Sequence, residues 1–147
     1  MLRLKKAEYS DIDLLYEWAN DTVVRQNSFN SDKIPYDTHV KWFTRMMSDP
    51  SVIQYILHDD NVPVGQVRLD IEGDEAEISY SVSPEHRGKG YGRELLRMIY
   101  GVVKNDYPGI STLVARVKSD NIKSKSLFEN LGYDLKYLCY IQEVDHS

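Results

Sequence analysis

Residues 75–97 read EAEISYSVSPEHRGKGYGRELLR, and the fold turns on how this stretch is parsed. Its first half alternates, with Ala76, Ile78, Tyr80 and Val82 on one side and Glu75, Glu77, Ser79 and Ser81 on the other. A period of two predicts a strand with one face in a core. Pro84 ends it, because proline has no N–H to give to a ladder. After Arg87-Gly88-Lys89-Gly90-Tyr91-Gly92 come Glu94, Leu95, Leu96, Met98 and Ile99, helix formers with apolar positions at helical spacing. The unit is strand, glycine loop, helix. Glycines there let successive backbone N–H groups converge, and the helix N-terminus adds partial positive charge. Arg87, Lys89 and Arg93 add full charges, so the unit reads as a phosphate cradle. The Walker pattern does not fit it, and the dinucleotide pattern would need a third glycine where Arg93 stands.

Working outward, Leu2 to Lys5 alternates like a short strand. Ser10 is placed to cap a helix whose stripe is Ile12, Leu15, Trp18 and Ala19. A short helical piece follows at 22–26, then loop from Asn27 to Tyr36, then a helix from Thr38 to Met47 capped by Asp37. Strands are expected at 52–58 and 63–70, ahead of the strand already described. The helix after the glycine loop runs to about Asn105 and is broken by Tyr107-Pro108-Gly109. A strand at 112–118, a helix from Asp120 or Asn121 to Asn130, a left-handed cap at Gly132, and closing strands at 133–137 and 139–144 complete the reading.

The chain of 147 residues is expected to form one domain, 1–147, with a real core. No apolar run resembles a signal peptide or a membrane span, which points to a soluble, cytoplasmic protein. Cys139 is the one cysteine, so no internal disulfide exists, and its neighbours Leu138 and Tyr140 suggest a buried strand position. Residues 1–84 hold eight Lys/Arg against fifteen Asp/Glu, whereas residues 85–147 hold ten against eight. That balance excludes a broad basic nucleic-acid face and suits an anionic ligand held by the second half. His58, His86 and His146 lack metal-ligand spacing, so no metal site is read.

The motif Arg87-x-x-Gly90-x-Gly92, after a strand and Ser83-Pro84-Glu85-His86, resembles the acyl-CoA-binding motif of the GNAT acetyltransferases. The element order extends the resemblance over essentially the whole chain. It implies a mixed α/β (α+β) fold, with a central mixed twisted sheet of about seven strands flanked by about four helices. It further implies acetyl-CoA as cosubstrate, its pyrophosphate held by the amides of Arg87, Gly88, Lys89, Gly90, Tyr91, Gly92 and Arg93, and its thioester near Ser81 and Val82. Residues 119–133, SDNIKSKSLFENLGY, resemble the family's Asn-x-x-Ala/Ser helix, which lines the pantetheine arm. The positions carried over are Asn121, Ser124 and Phe128, with Asn121 equally suited to capping the helix.

The chain departs from the family at two places. Many members carry a Tyr where Phe128 stands, and it protonates the departing thiolate. Related enzymes acting on ribosomal-protein N-termini commonly keep a Glu where this chain has Arg116. The chemistry that remains needs a polarised carbonyl, a neutral amine and routes for protons. A backbone N–H around Ser81 to Ser83 serves as the carbonyl donor. Glu77 is the candidate base, acting through water, or else an exposed strand carboxylate. Tyr133 is the candidate acid, with Tyr137 and Tyr140 as alternatives. A free thiol near pKa ~8.5 also leaves without a dedicated acid.

Arg25, Asn27, Ser28, Phe29, Ile34, His39, Trp42 and Phe43 resemble GNAT domains that acetylate nucleotide-linked amino sugars in bacterial surface-sugar pathways of the pseudaminic acid type. Asn27, His39 and Trp42 are the implied acceptor contacts, since aromatic faces stack on rings and polar groups bond hydroxyls. Trp42 and Phe43 also lie on a helix that must bury one face. The expected function is N-acetyl transfer to a small-molecule amine by direct attack in a ternary complex, and a homodimer is compatible with it. Other acceptors are a protein N-terminus, a polyamine or another small amine. From a different class, the chain could be a non-catalytic CoA-binding or partner-binding module.

Overall fold

Four alternating segments pair in chain order because short turns bring each back beside the last. In the computed structural model, which describes residues 1–147, β1 (Leu2–Lys6), β2 (Val52–Asp59), β3 (Val62–Glu72) and β4 (Glu75–Val82) form consecutive antiparallel ladders. The β2–β3 turn places Asp60 and Asn61 both at positive φ, 48° and 72°, which matches the twist of the strands that it joins. Gly73, at φ 62°, serves the β3–β4 turn. A fifth strand, β5 (Thr112–Val114), joins β4 in parallel across Glu75, Ala76 and Glu77 alone.

The helices divide between the two faces. α4 (Tyr91–Asp106) and α5 (Ile122–Asn130) lie on the face formed by Val67, Leu69, Ala76 and Ile78. Leu95, Leu96, Ile99 and Val103 of α4 and Phe128 of α5 are buried there, each of the aliphatic four contributing about 1.5–3 kcal/mol. A smaller core on the other face joins Ile56 of β2 to Leu15 and Trp18 of α1 (Ile12–Ala19) and to Phe43 and Met46 of α3 (Tyr36–Met47). The six-residue α2 (Thr22–Asn27) lies between them in sequence, its first turn capped by Asp21, whose carboxylate accepts from Val24 N–H. That second core covers the β1–β2 half of the sheet. On β3 and β4 the residues facing the same way are Gln66, Arg68, Asp70, Glu77, Ser79 and Ser81, a polar stripe.

Several expectations need correction. The sheet has five strands rather than about seven. β5 stops at Val114, short of Lys118, and residues 134–147 make no backbone-to-backbone hydrogen bond. A strand exists by pairing, and a three-residue edge gives the closing segments little to pair with. Cys139 is consequently exposed, not buried. Helix α1 is preceded by a 3₁₀ turn at Tyr9–Asp11 that starts from Glu8, whose N–H donates to Asp11 Oδ2 at 2.7 Å, so Ser10 is not the cap. α3 starts at Tyr36, which puts Asp37 inside its first turn. Gly132 does adopt a left-handed φ of 92°. No helix is long and apolar enough to cross a membrane, and no group of three or more His, Cys, Asp or Glu is placed to hold a metal ion.

Candidate active site

The site is built around the end of β4 where its second neighbour is missing. β4 and β5 part after Glu77 and Val114, so from Ile78 to Val82 one edge of β4 has no strand beside it. N–H groups alternate sides along a strand. Ser83 N–H donates to Val64 C=O at 2.8 Å, toward β3. The main-chain N–H groups of Tyr80 and Val82 therefore point into the open slot. Of the donors expected at 81–83, Ser83 is committed to the sheet and Val82 is the one directed at the slot.

At the foot of the slot the chain turns through a short 3₁₀ segment, Pro84–His86, into the glycine loop. Gly88 and Gly90 hold φ of 76° and 84°, and a Cβ built on either meets no protein atom within 4 Å. Both glycines therefore line open space at the N-terminus of α4, whose first-turn N–H groups lack helical partners. Backbone donors, a helix dipole and the exposed Lys89 and Arg93 together fit a pyrophosphate. Two members of the loop have other side-chain duties. Tyr91 donates its phenol proton to Asp59 Oδ2 at 2.6 Å, which raises the tyrosine pKa and helps to hold Asp59 below the usual carboxylate range. Arg87 is paired with Asp21. Burial opposes ionisation of Asp21, but the bonds from Arg87 and Val24 N–H outweigh it, and its carboxyl lies below the ordinary value.

The far wall of the slot is α5. Asn121 caps it, its Oδ1 accepting from Ser124 N–H at 3.3 Å, and Ser124 and Phe128 are buried on the inner side. Asn121, Ser124 and Phe128 thus lie on one side of α5, at positions i, i+3 and i+7. Tyr80 crosses to them from β4: its hydroxyl is 2.7 Å from Ser124 Oγ, and its ring meets Phe128 nearly edge-on at 5.7 Å. Tyr133 lies on another side of Phe128, 5.0 Å away, in a hollow with Leu96, Arg97, Tyr100 and Leu131. Burial, with Tyr100 nearby, pushes its phenol up to about 12, and that hydroxyl has no hydrogen-bond partner.

The polar stripe forms the opposite face of the same strands. Gln54 is buried and its Nε2 donates to Gln66 Oε1 at 2.8 Å and Val67 C=O at 3.2 Å; Gln66 Nε2 then donates to Ser81 Oγ at 3.0 Å. This amide ladder runs from β2 across β3 to the end of β4. Beside it Arg68 pairs with Asp70 at 2.9 Å and lies over the Trp42 ring, 5.4 Å from its centroid. Glu77 is paired with Arg116 at 3.6 Å, so the expected base carries a counter-charge.

Acceptor-side expectations divide. Trp42 is half-buried and adjoins the stripe through Arg68; Asn27 is exposed at the end of α2. His39 is 3% exposed, its Nε2 bonded to Ile12 C=O at 2.8 Å and its ring 5.7 Å from Trp42, so it ties α3 to α1 behind the tryptophan. Arg25 is occupied by the carbonyls of Ala19, Asn30 and Asp32 and fastens the loop after α2. Sequence reasoning did not find Asp21, Gln54, Gln66 or Tyr80 as site residues. Spacing alone gave no signal for the first three; for Tyr80 the signal was its place on the inward side of β4, opposite a helix carrying Ser124.

Solved structures share the fold. A spermidine N-acetyltransferase from Vibrio cholerae, in complex with CoA and spermine, superposes with a TM-score of 0.81 at 21% identity, covering 89% of this chain and 79% of that one. The ribosomal alpha-N-protein acetyltransferase RimL, in complex with coenzyme A, gives 0.78 at 16% identity over 92% and 81%. By sequence, an uncharacterized N-acetyltransferase of Bacillus subtilis (strain 168), YfmK, is 26% identical over 96 residues, which span 65% of this chain and 64% of that protein. Residues 1–134 match the acetyltransferase (GNAT) domain, and the chain belongs to that family of acyl-CoA-dependent N-acetyltransferases.

Proposed function

We propose that this protein transfers the acetyl group of acetyl-CoA to a primary amine by direct attack within a ternary complex. The observation that carries the reading is the two-sided end of β4. One edge opens to a slot floored by the glycine loop and walled by α5, and one face opens to a polar stripe. The loop amides of residues 87–93 and the wall residues Asn121, Ser124 and Phe128 would hold the cosubstrate, which supplies an activated acyl group. Val82 N–H is aimed where a carbonyl oxygen in the slot would lie, and such a donor is most effective in a dry site. An amine resting on Ser79 and Ser81 would approach from the stripe. Glu77, relayed by water, would receive its proton, with Arg116 holding that carboxylate in place. Tyr133 was the sequence candidate for acid, and its hydroxyl lies in the hollow against α4.

For the acceptor, our reading is a nucleotide-linked amino sugar. Two arginines, Arg68 and Arg116, stand at the stripe, and the Arg68–Trp42 stack offers a flat cationic platform to a base or its phosphates. The acidic composition of residues 1–84 is offset here, because Asp70 and Glu77 are each paired. A second reading, a polyamine or a peptide N-terminus, draws on what the Vibrio cholerae enzyme and RimL act on, and on the overall acidity of that half.

The test is thiol release from acetyl-CoA against nucleotide-linked 4-amino sugars, spermidine and short peptides with free N-termini. Release with the amino sugar alone supports the preferred acceptor. Release with spermidine or peptides replaces it while keeping the transferase reading. Binding of acetyl-CoA without turnover on any amine would point to a binding module.

A further inference from the structure

The slot contains a hydroxyl pair that the proposed reaction has not yet used. Tyr80 Oη and Ser124 Oγ are 2.7 Å apart, and neither hydroxyl has a further hydrogen-bond partner in the protein. Two hydroxyls carry two protons, and one bond between them consumes one. The second proton has no protein acceptor. It is held where β4 has lost its neighbour and α5 forms the facing wall, so the acceptor it lacks is one that a molecule in the slot would bring.

The surroundings fix Tyr80 firmly. Its ring packs edge-on to Phe128, and a Cβ placed on Gly92, in the first turn of α4, would lie 3.5 Å from the ring. Ser124 is itself positioned, since its N–H is bound by the Asn121 cap. Phe128, at the centre of the same wall, has no proton to give. Tyr133 is further along α4, against Leu96 and Tyr100 rather than Gly92, which is one to two helical turns from the slot's foot. Burial raises the Tyr80 pKa, the Ser124 bond opposing it in part, so the phenol stays protonated at neutral pH.

We propose that Tyr80, supported by Ser124, is the proton donor to the departing sulfur. The inference rests on acetyl-CoA occupying the slot. As the amine nitrogen–carbonyl carbon bond forms and the carbon–sulfur bond breaks, the sulfur leaves with the bonding pair and takes the proton from Tyr80 Oη. The Ser124 hydroxyl restores that proton and is refilled by water. The amine loses its own proton on the stripe side of the sheet, so one proton leaves and one enters per turnover. Tyr80 acts as the catalytic residue and Ser124 as a positioning residue.

The experiment needs no acceptor. CoA is bound to the wild-type protein, Y80F and S124A, and the ionisation of its thiol is followed by thiolate ultraviolet absorbance as a function of pH. The matching complex with desulfo-CoA is subtracted, which cancels the protein's own tyrosines and Cys139. A donor aimed at sulfur favours the thiolate and lowers the thiol pKa. Y80F is expected to raise it by about one unit, a tenfold loss of thiolate at a given pH below the pKa, and S124A by less in the same direction. S124A leaves the aromatic packing intact and so carries the test if Y80F folds poorly. CoA bound with an unshifted thiol in both variants overturns the assignment of Tyr80 and leaves the cosubstrate reading standing. Failure of the wild-type protein to bind CoA overturns both.

Discussion

The guanidinium of Arg87, in the glycine loop, donates to the carboxylate of Asp21, 66 residues earlier at the start of α2. This pair joins the glycine loop to the start of α2, the proposed cosubstrate side to the proposed acceptor side. A second tie, from Lys118 Nζ to Gln26 C=O at 2.8 Å, fastens the other end of α2 beyond β5. The short helix is therefore pinned at one end to the glycine loop and at the other to the segment between β5 and α5. Sequence alone offered Arg87 to a phosphate; the structure gives it a partner that orients it first.

Asp21→Asn retains a cap acceptor and removes the charge. Because the folded carboxyl is depressed, its contribution is fully present above the ordinary carboxylate pKa of about 4 and is lost as pH falls through the folded value. The variant should lose about 1 kcal/mol at neutral pH, or roughly 2–4 °C in Tm. Thermal melts across pH would show that difference shrinking below about pH 4. A pH-independent difference would mean that the charge is not what matters.

Gly90→Val should abolish CoA binding, read by calorimetry. The position has φ 84°, where a residue with a Cβ pays about 1–2 kcal/mol, and the valine would stand in the open space over the first turn of α4. Circular dichroism close to wild type would confirm that the loss is local. Retained binding would remove the glycine loop from the cofactor site.

Two other glycines should respond in opposite directions. Gly101 lies inside α4 with no neighbour within 4 Å of an added Cβ, so Gly101→Ala should stabilise by about 0.5–1 kcal/mol. At Gly65 the same atom would fall 2.8 Å from Leu95 Cδ1 and 2.9 Å from Ser81 C=O. Gly65→Ala should destabilise by about 1–3 kcal/mol, since the carbonyl belongs to β4 and cannot yield cheaply. Urea unfolding of the pair tests both the packing of α4 and the close approach of β3 to it.

Gln66→Leu would break the amide ladder in the middle. Gln54 Nε2 would keep Val67 C=O but lose Gln66, and Ser81 Oγ would lose its donor. A cost of about 1–2 kcal/mol is expected in urea unfolding. Acceptor KM should rise more than acetyl-CoA KM, because the ladder ends on the stripe and not in the slot. Equal effects on both would place Ser81 outside the acceptor surface.

Legibility in the sequence followed the range of the forces involved. The β4–glycine loop–α4 unit was plain, because alternation, Pro84 and the positive-φ glycines are local features that propensity reads directly. Asn121 was found for the same reason, as a cap. His39, read beside Trp42 as an acceptor contact, has its ring nitrogen bonded to the carbonyl of Ile12, 27 residues away and invisible to spacing. The Tyr80–Ser124 and Asp21–Arg87 pairs span 44 and 66 residues and needed the fold to be seen. The closing strands expected at 133–137 and 139–144 did not form, because a local run specifies a strand only where an edge awaits it.

Ladders of five, eight and eight residue pairs join β1 through β4, but three join β4 to β5. The chain from residue 112 onward is thus attached by the weakest ladder in the sheet, and that seam lies alongside the slot. Amide hydrogen exchange should reveal two cooperative units, with β5 and α5 opening at lower free energy than β2 and β3. A ligand spanning both walls would close the difference by RT ln(1 + [L]/Kd), protecting β5 and α5 most. On the proposed reading, the cosubstrate would act as the missing rung of the sheet, and its departure would restore the looseness through which the next molecule enters.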